Sequence, residues 1–371
     1  MSLNQKHNTL RIIIAGGGTG GHIFPAIAVA QAIKALAPNT VILFVGALGK
    51  MEMEKVPQAG FEIKGITIAG FNRAQLFKNI TLPWKLLKSF FQVSEIFKSF
   101  KPNAVFGVGG YSSFPVLKYA QTKNIPTYIH ESNAFAGKAN KWLSNNATKI
   151  FTGTVGMESF FPATKILVTG NPIRKNIINH AYTKQSALQV FNLEVTKKTI
   201  LILGGSLGAS SINKAIQSNL ASFFDKNIQL IWQTGKPNAD IYAQSAHSFE
   251  NVFVHSFIDN MSAAYAAADI VVSRSGAMAV SEICITGKPA VFVPYPLAAE
   301  DHQTFNAMAL VNKNAAAIVK DKEVGKDLIP CVLHLLANEE QMQLMKNNIK
   351  AFAFSNADEI IAKEILKQIN D

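Results

Sequence analysis

The sequence predicts an α/β protein built from two parallel-sheet domains. Three observations carry that prediction. Short apolar runs alternate with helical patterns in the first half, the alternation restarts in the second half, and each half opens on a glycine-rich turn between strand and helix. At 371 residues the chain is long for one core and comfortable for two.

The elements follow in order. Arg11–Ala15 is a short, mostly β-branched apolar run and reads as a buried strand. The glycine block leads into Ile23–Leu36, where apolar residues recur at helical spacing, and Val41–Gly46 is the next strand. Ala104–Val108 and Thr127–His130 are strands on either side of a helix that starts near Ser113. In the second half, Thr199–Leu203 leads through GGSLGAS into a helix reaching about Phe223. Strands at Gln229–Gln233, Val252–His255, Asp269–Ser273 and Ala290–Pro294 alternate with helices near Met261–Ala268 and Ala277–Thr286. Gly170 and Pro172 interrupt the pattern within Val168–Asn176 and place a boundary there. The domains are therefore 1–172 and 173–356, and the amphipathic stretch 357–371 is expected to pack back on one of them, with 1–172 as the expected host.

Composition narrows the partners. With 48% hydrophobic and 16% charged residues the chain reads as globular. A net charge of +12 suits an anionic partner: nucleic acid, a phosphorylated metabolite or an acidic membrane surface. The two cysteines, Cys284 and Cys331, form no CxxC pair, which excludes a disulfide framework and a cysteine-rich zinc site. The polar opening MSLNQKHNTL predicts no secretory signal, and no run approaches the ~18–20 apolar residues that span a bilayer. A cytoplasmic, non-spanning protein is expected.

The glycine turns carry the chemistry. Gly16, Gly18 and Gly21 satisfy G-x-G-x-x-G after a strand. A dinucleotide site would also need an acid closing the second strand, yet that strand ends Phe44-Val45-Gly46-Ala47, with no carboxylate until Glu52. A P-loop would need lysine where His22 stands. What survives is close backbone approach at the positive end of a helix. A tight turn alone would need the same glycines, but the pattern recurs at Gly107–Gly110 and Gly204–Gly208. Such turns fall at the carboxyl ends of parallel strands, where ligands bind, so a ligand in a cleft between facing sheets is expected. In "ADIVVSRSGAMAVSEI" the turn Ser275-Gly276 opens a helix whose first amides suit a diphosphate; Glu282 is placed for sugar hydroxyls, although on the residues alone a solvated helix carboxylate is the stronger reading.

The ordered motifs GGTGGHIFPAIAVA, GVGGYSS, HESNAFAGKANKWL, VTGNPIR, GGSLGASSIN, FIDNMSAAYAAADIVVSRSGAMAVSEI and EDHQTFNA run from about Ile12 to Ala307. As a set they resemble the bacterial peptidoglycan glycosyltransferases of the MurG family. That resemblance implies the GT-B fold, two Rossmann-like domains with parallel sheets facing across a cleft. It implies inverting transfer of N-acetylglucosamine from UDP-N-acetylglucosamine to the muramic-acid C4 hydroxyl of lipid I, giving lipid II. Carried over by motif, Ile258 would meet the uracil through its backbone and Glu282 would hold the ribose. Ser206 and the amides of Ala277, Met278 and Ala279 would hold the diphosphate, with Arg174 adding charge. His302 and Gln303 would read the sugar, and Thr19, Gly20, Gly21 and Asn133 would close over it. Gly109, Gly110 and Tyr111 would form the acceptor-side loop. Two departures stand out: Ala279 replaces a threonine of several relatives, and Phe114 replaces a common glycine.

Single-displacement transfer needs a general base. His22 is the first candidate, since imidazole titrates near operating pH; a role confined to orienting the loop or contacting the acceptor stays open. Glu131 is the rival base or the group that orients His22, and His130 reads as structural. No D-x-D motif or carboxylate cluster offers a metal site, so no cofactor is required and magnesium is expected at most to stimulate by screening UDP.

The stretch Phe71–Pro102 interleaves apolar residues with lysines and carries one acid, Glu95. Leu76, Phe77, Lys78, Trp84 and Lys85 are expected to touch an anionic membrane surface, with Leu87 and Phe91 turned to the core. The expected location is therefore peripheral, on the cytoplasmic face of the membrane. A dinucleotide oxidoreductase would explain the first loop alone. A nucleic-acid partner is not expected, because no aromatic–basic readout motif occurs.

Overall fold

The computed structural model describes residues 9–18, 20–70, 77, 80–173, 175–178, 182–205 and 208–370, the side chains of 176 and 370 excepted. The chain forms two compact units, Met1–Ile173 with Asn356–Asp371, and Arg174–Ser355.

Unit one runs β1 (Arg11–Ala15), α1 (Gly20–Leu36), β2 (Val41–Ala47), α2 (Glu52–Gln58), β3 (Glu62–Ile66), α3 (Leu82–Phe100), β4 (Ala104–Gly107) and α4 (Ser113–Thr122). It continues through β5 (Thr127–Glu131), α5 (Lys138–Ser144), β6 (Lys149–Thr152) and β7 (Ile166–Val168). The strands pair in parallel in the order β3-β2-β1-β4-β5-β6-β7. Side chains alternate across this sheet, so each strand supplies two cores. Ile12, Ile14, Phe44 and Phe106 pack under α1, while Ile13, Leu43, Val45 and Val105 pack with Val93, Phe97, Val116 and Leu117 of α3 and α4.

Unit two opens with α6 (Lys175–Ile178) and α7 (Lys184–Val190), then β8 (Lys198–Leu203), α8 (Ser210–Gln217), α9 (Leu220–Asp225), β9 (Ile228–Gln233), α10 (Ala239–Ala246) and β10 (Val252–His255). It continues with α11 (Met261–Ala267), β11 (Ile270–Ser273), α12 (Ala277–Thr286), β12 (Ala290–Phe292), α13 (His302–Val311), β13 (Ala317–Ile318), α14 (Val324–Ala337) and α15 (Glu339–Ile349). Its sheet is parallel in the order β10-β9-β8-β11-β12-β13. The helix expected to reach Phe223 is broken in two, because Ser218-Asn219 form a turn and the Asn219 amide donates back to the Ala215 carbonyl (2.9 Å). The last helix, α16 (Ala357–Asn370), returns to unit one, where Ile361, Ala362 and Ile365 join the core under α1.

In each sheet the strand order, not the strand direction, reverses at one place, between β1 and β4 and between β8 and β11. Loops leaving those strands flank the crevice that an open parallel sheet offers to ligands. The four glycine-bearing turns of the sequence lie there.

Candidate active site

In unit one, the turn after β1 and the turn after β4 interlock. Gly16 presses on Val108 and on the Gly109 carbonyl, and a side chain on Gly110 would stand 2.6 Å from the Gly17 carbonyl oxygen. Only glycine permits that approach, with Gly109 and Gly110 at φ +89° and +80°. His22 sits in the first turn of α1, its ring against the bared Cα of Gly109, where an added Cβ would lie 3.2 Å from Nε2. Tyr111 covers Gly18. Burial, and then the nearby Glu52 carboxylate, raise its phenol above the usual value.

Glu131 closes β5 and is buried. Its Oε1 accepts from the Asn133 backbone N–H (3.1 Å) and side-chain amide (3.2 Å). Its Oε2 accepts from the Gly137 N–H (3.0 Å) and the Asn140 amide (2.8 Å). The carboxylate thus folds the loop that carries Asn133 around itself. Its neighbour His130 is fully buried, with Nε2 3.3 Å from the Gly170 carbonyl and Nδ1 3.4 Å from the Ser132 hydroxyl. Burial pulls its pKa down to about 4 against the Gly170 bond, with His22 adding a small push the same way, so the ring is neutral near pH 7.

In unit two, α12 starts at Gly276 without a side-chain cap, and its first internal bond runs from the Val280 N–H to the Gly276 carbonyl. The amides of Ala277, Met278 and Ala279 precede that bond and point out of the helix start. The Ser275 hydroxyl donates to the Gln303 carbonyl (2.8 Å), and Gln303 Oε1 accepts from the Tyr295 N–H (2.9 Å). The EDHQ turn is thereby tied to the α12 entrance. His302 opens α13 with Nδ1 2.7 Å from the Ala299 carbonyl, after Glu300 and Asp301 in the left-handed region. Glu282 is buried one turn further along α12 and accepts from the Tyr265 hydroxyl (3.1 Å). The Ile258 N–H donates to Gln233 Oε1 (3.0 Å).

The structure therefore groups Gly20, Gly21, His22, Gly109, Gly110, Tyr111, Glu131 and Asn133 in unit one. It groups Ile258, Ala277, Met278, Ala279, Glu282, His302 and Gln303 in unit two. Thr19, Arg174, Ser206, Leu76 and Lys78 lie outside the described residues. Among the described residues no three His, Cys, Asp or Glu side chains converge. Sequence reasoning passed over Asn140 and Arg274. The Arg274 guanidinium bonds the Val293 and Pro294 carbonyls (both 3.1 Å), Asp321 (2.6 Å) and Ser211 (3.0 Å), bracing the turns after β11 and β12. Its place in VSRSG, beside the predicted phosphate turn, was the available signal.

On α3 one expectation fails. Leu87 and Phe91 are 54% and 74% exposed and do not face the core; Ser89, Val93, Phe97 and Phe100 do. With Trp84 they form one outward apolar stripe on α3 at spacings of three and four residues, and Phe77 and Ile80, ahead of the helix, are exposed as well. No described helix is long and apolar enough to cross a membrane.

The chain is similar to known proteins. The glycosyltransferase family 28 N-terminal domain matches residues 12–152 and the family 28 C-terminal domain matches residues 199–361. The UDP-N-acetylglucosamine–N-acetylmuramyl-(pentapeptide) pyrophosphoryl-undecaprenol N-acetylglucosamine transferase of Bacteroides fragilis is 48% identical, covering 98% of this chain and 99% of that protein. Its namesake from Bacteroides thetaiotaomicron is 49% identical, covering 96% and 97%. Among solved structures, MurG of Acinetobacter baumannii matches with a TM-score of 0.79 at 28% identity, covering 96% of this chain and 99% of that one.

Proposed function

The chain belongs to glycosyltransferase family 28, among the N-acetylglucosaminyltransferases of peptidoglycan synthesis, and from that membership we propose how its residues perform the transfer. The reaction moves N-acetylglucosamine from UDP-N-acetylglucosamine to lipid I and yields lipid II. Two observations, each within its own unit, support the mechanism: a histidine set on the glycine turns of unit one, and an uncapped helix start at the switch point of unit two.

Transfer is a single displacement with inversion. The muramic C4 oxygen attacks C1 of the donor sugar, the bond from C1 to the UDP oxygen breaks, and its electron pair leaves on the β-phosphate. His22 takes the hydroxyl proton. Glu131 is the weaker candidate for that task, because both its oxygens already accept from two donors each and protonation would cost those bonds. It positions Asn133 instead. The α12 amides receive the charge that develops on the diphosphate, which favours the leaving group electrostatically with no protein-held metal; magnesium would act only by screening UDP. Glu282 holds the ribose. The Ile258 N–H is given to Gln233, so uracil N3–H would be read by the Ile258 carbonyl.

Lipid I lies in a membrane, and the stripe of α3 with Lys85 and Lys88 beside it would seat the enzyme on the anionic cytoplasmic surface without crossing it. Transfer of labelled N-acetylglucosamine to a lipid I analogue tests the reading. His22→Ala should lower kcat about 10²–10⁴-fold with donor affinity kept. Absence of transfer by the unchanged protein would overturn it.

A further inference from the structure

We propose that Glu52 is a positioning residue for the transfer, a buried carboxylate that locks the glycine turn beneath His22. The proposal rests on the reading of His22 given above. Glu52 opens α2 and is 1% exposed. One carboxylate oxygen accepts from the Gly18 N–H (2.9 Å) and the other from the Ala47 N–H (2.9 Å), bridging the turn after β1 to the end of β2. Among the described residues no cation pairs with it. An anion taken out of water without a counter-charge is costly, and the fold accommodates this one deliberately. A Cβ on Gly46 would stand 2.5 Å from Glu52 Cγ, and a Cβ on Gly17 would strike the carboxylate itself. Two bare Cα atoms make the room.

The consequence lies on the far side of the turn. Gly17 is held between the Glu52 carboxylate and Gly110, and Gly109, next to Gly110, is the floor on which the His22 ring rests. Glu52, the first turn, the second turn and His22 are thus consecutive layers. The concave backbone of this glycine turn, which elsewhere cradles a ligand phosphate, gives its Gly18 amide to the protein's own carboxylate. The turn therefore serves to fix the imidazole rather than to bind an anion at Gly18.

Both groups facing Glu52 are N–H donors, so Glu52→Gln keeps the shape but must turn an NH₂ toward one of them. In the lipid I transfer assay, Glu52→Gln should lower kcat at least about tenfold while the Kd for UDP-N-acetylglucosamine, bound by unit two, stays within about twofold. Placed on His22→Ala, the same change should have little further effect, because Glu52 acts through His22. Glu52→Asp, which keeps the acid but spans the two amides poorly, should fall between and guards against misfolding of the first variant. A kcat within twofold of the unchanged protein, or equal losses in the His22→Ala and unchanged backgrounds, would overturn the proposal. So would loss of donor binding together with a fall in melting temperature, the mark of a merely structural acid. If the unchanged protein itself fails to transfer, the parent reading falls and takes this one with it.

Discussion

His130 and Glu131 are adjacent, both buried, and set for different tasks by what surrounds them. The Glu131 carboxylate is solvated by four protein N–H groups, so it stays an acceptor that shapes a loop. With His22 as the proposed base, Glu131→Gln should therefore lower kcat while leaving the acidic limb of the kcat–pH profile in place. Disappearance of that limb in Glu131→Gln, and its survival in the residual activity of His22→Ala, would reverse the assignment. His130 has the opposite setting, a depressed pKa of about 4 against an ordinary 6.5, caused first by burial. Between those values the unfolded chain binds more protons than the folded one, so stability falls as pH drops from 6.5 toward 4 and is level above 6.5. The slope approaches about 1.4 kcal/mol per pH unit for this one group. Denaturant titrations of His130→Gln at pH 7 and pH 5 should show a shallower pH dependence than the unchanged protein; equal slopes would refute the burial account. At this scale the sequence disclosed the reactive types but not their partners. His22 was legible because it interrupts a known loop pattern. Glu52 was noticed only as an acid too late for a ribose, since nothing in sequence shows that two distant glycines clear a path for it.

Elements were legible where a single periodicity applied. β1, α12 and β10 fall on the expected residues because each is a continuous apolar run or helix bounded by glycine or polar turns. β3, reading Glu62-Ile-Lys-Gly-Ile, and the three-residue β7 carry too little apolar pattern to register, and they sit at the edges of the sheet where less burial is required. α3 exposes a deeper ambiguity. It has two apolar stripes, and helical spacing alone does not say which one meets the sheet. The inner one is short and includes Ser89; the outer one holds Trp84, 76% exposed, and Phe91. An outward stripe of this kind is stable on a lipid surface and costly in water. Trp84→Ser with Phe91→Ser should leave donor binding intact and cut binding to phosphatidylglycerol vesicles at least about tenfold, since each buried large apolar side chain is worth ~1.5–3 kcal/mol. Cosedimentation checks it, and unchanged vesicle binding would remove α3 from the membrane contact.

At the scale of the molecule, two units of one architecture are joined by a chain that crosses twice, near Ile173 and near Asn356. Gly170 and Pro172 are the sequence signal near the first crossing; for the second, the amphipathic spacing of 357–371 advertises a buried face without by itself naming its partner. The structure seats α16 against α1, with Ile361, Ala362 and Ile365 fully buried in unit one. The two isoleucines alone should contribute about 3–6 kcal/mol, a large share of the 5–15 kcal/mol that holds an ordinary domain. Removing residues 357–371 should therefore lower the melting of unit one by on the order of 10 °C while leaving unit two as it was. Calorimetry distinguishes the units, because UDP-N-acetylglucosamine should raise the transition of unit two alone. Transfer to lipid I should fail in the truncated chain at temperatures where donor binding persists. An equal drop in both transitions would mean that α16 supports the two units jointly, and an unchanged unit-one transition would mean that its buried isoleucines contribute little.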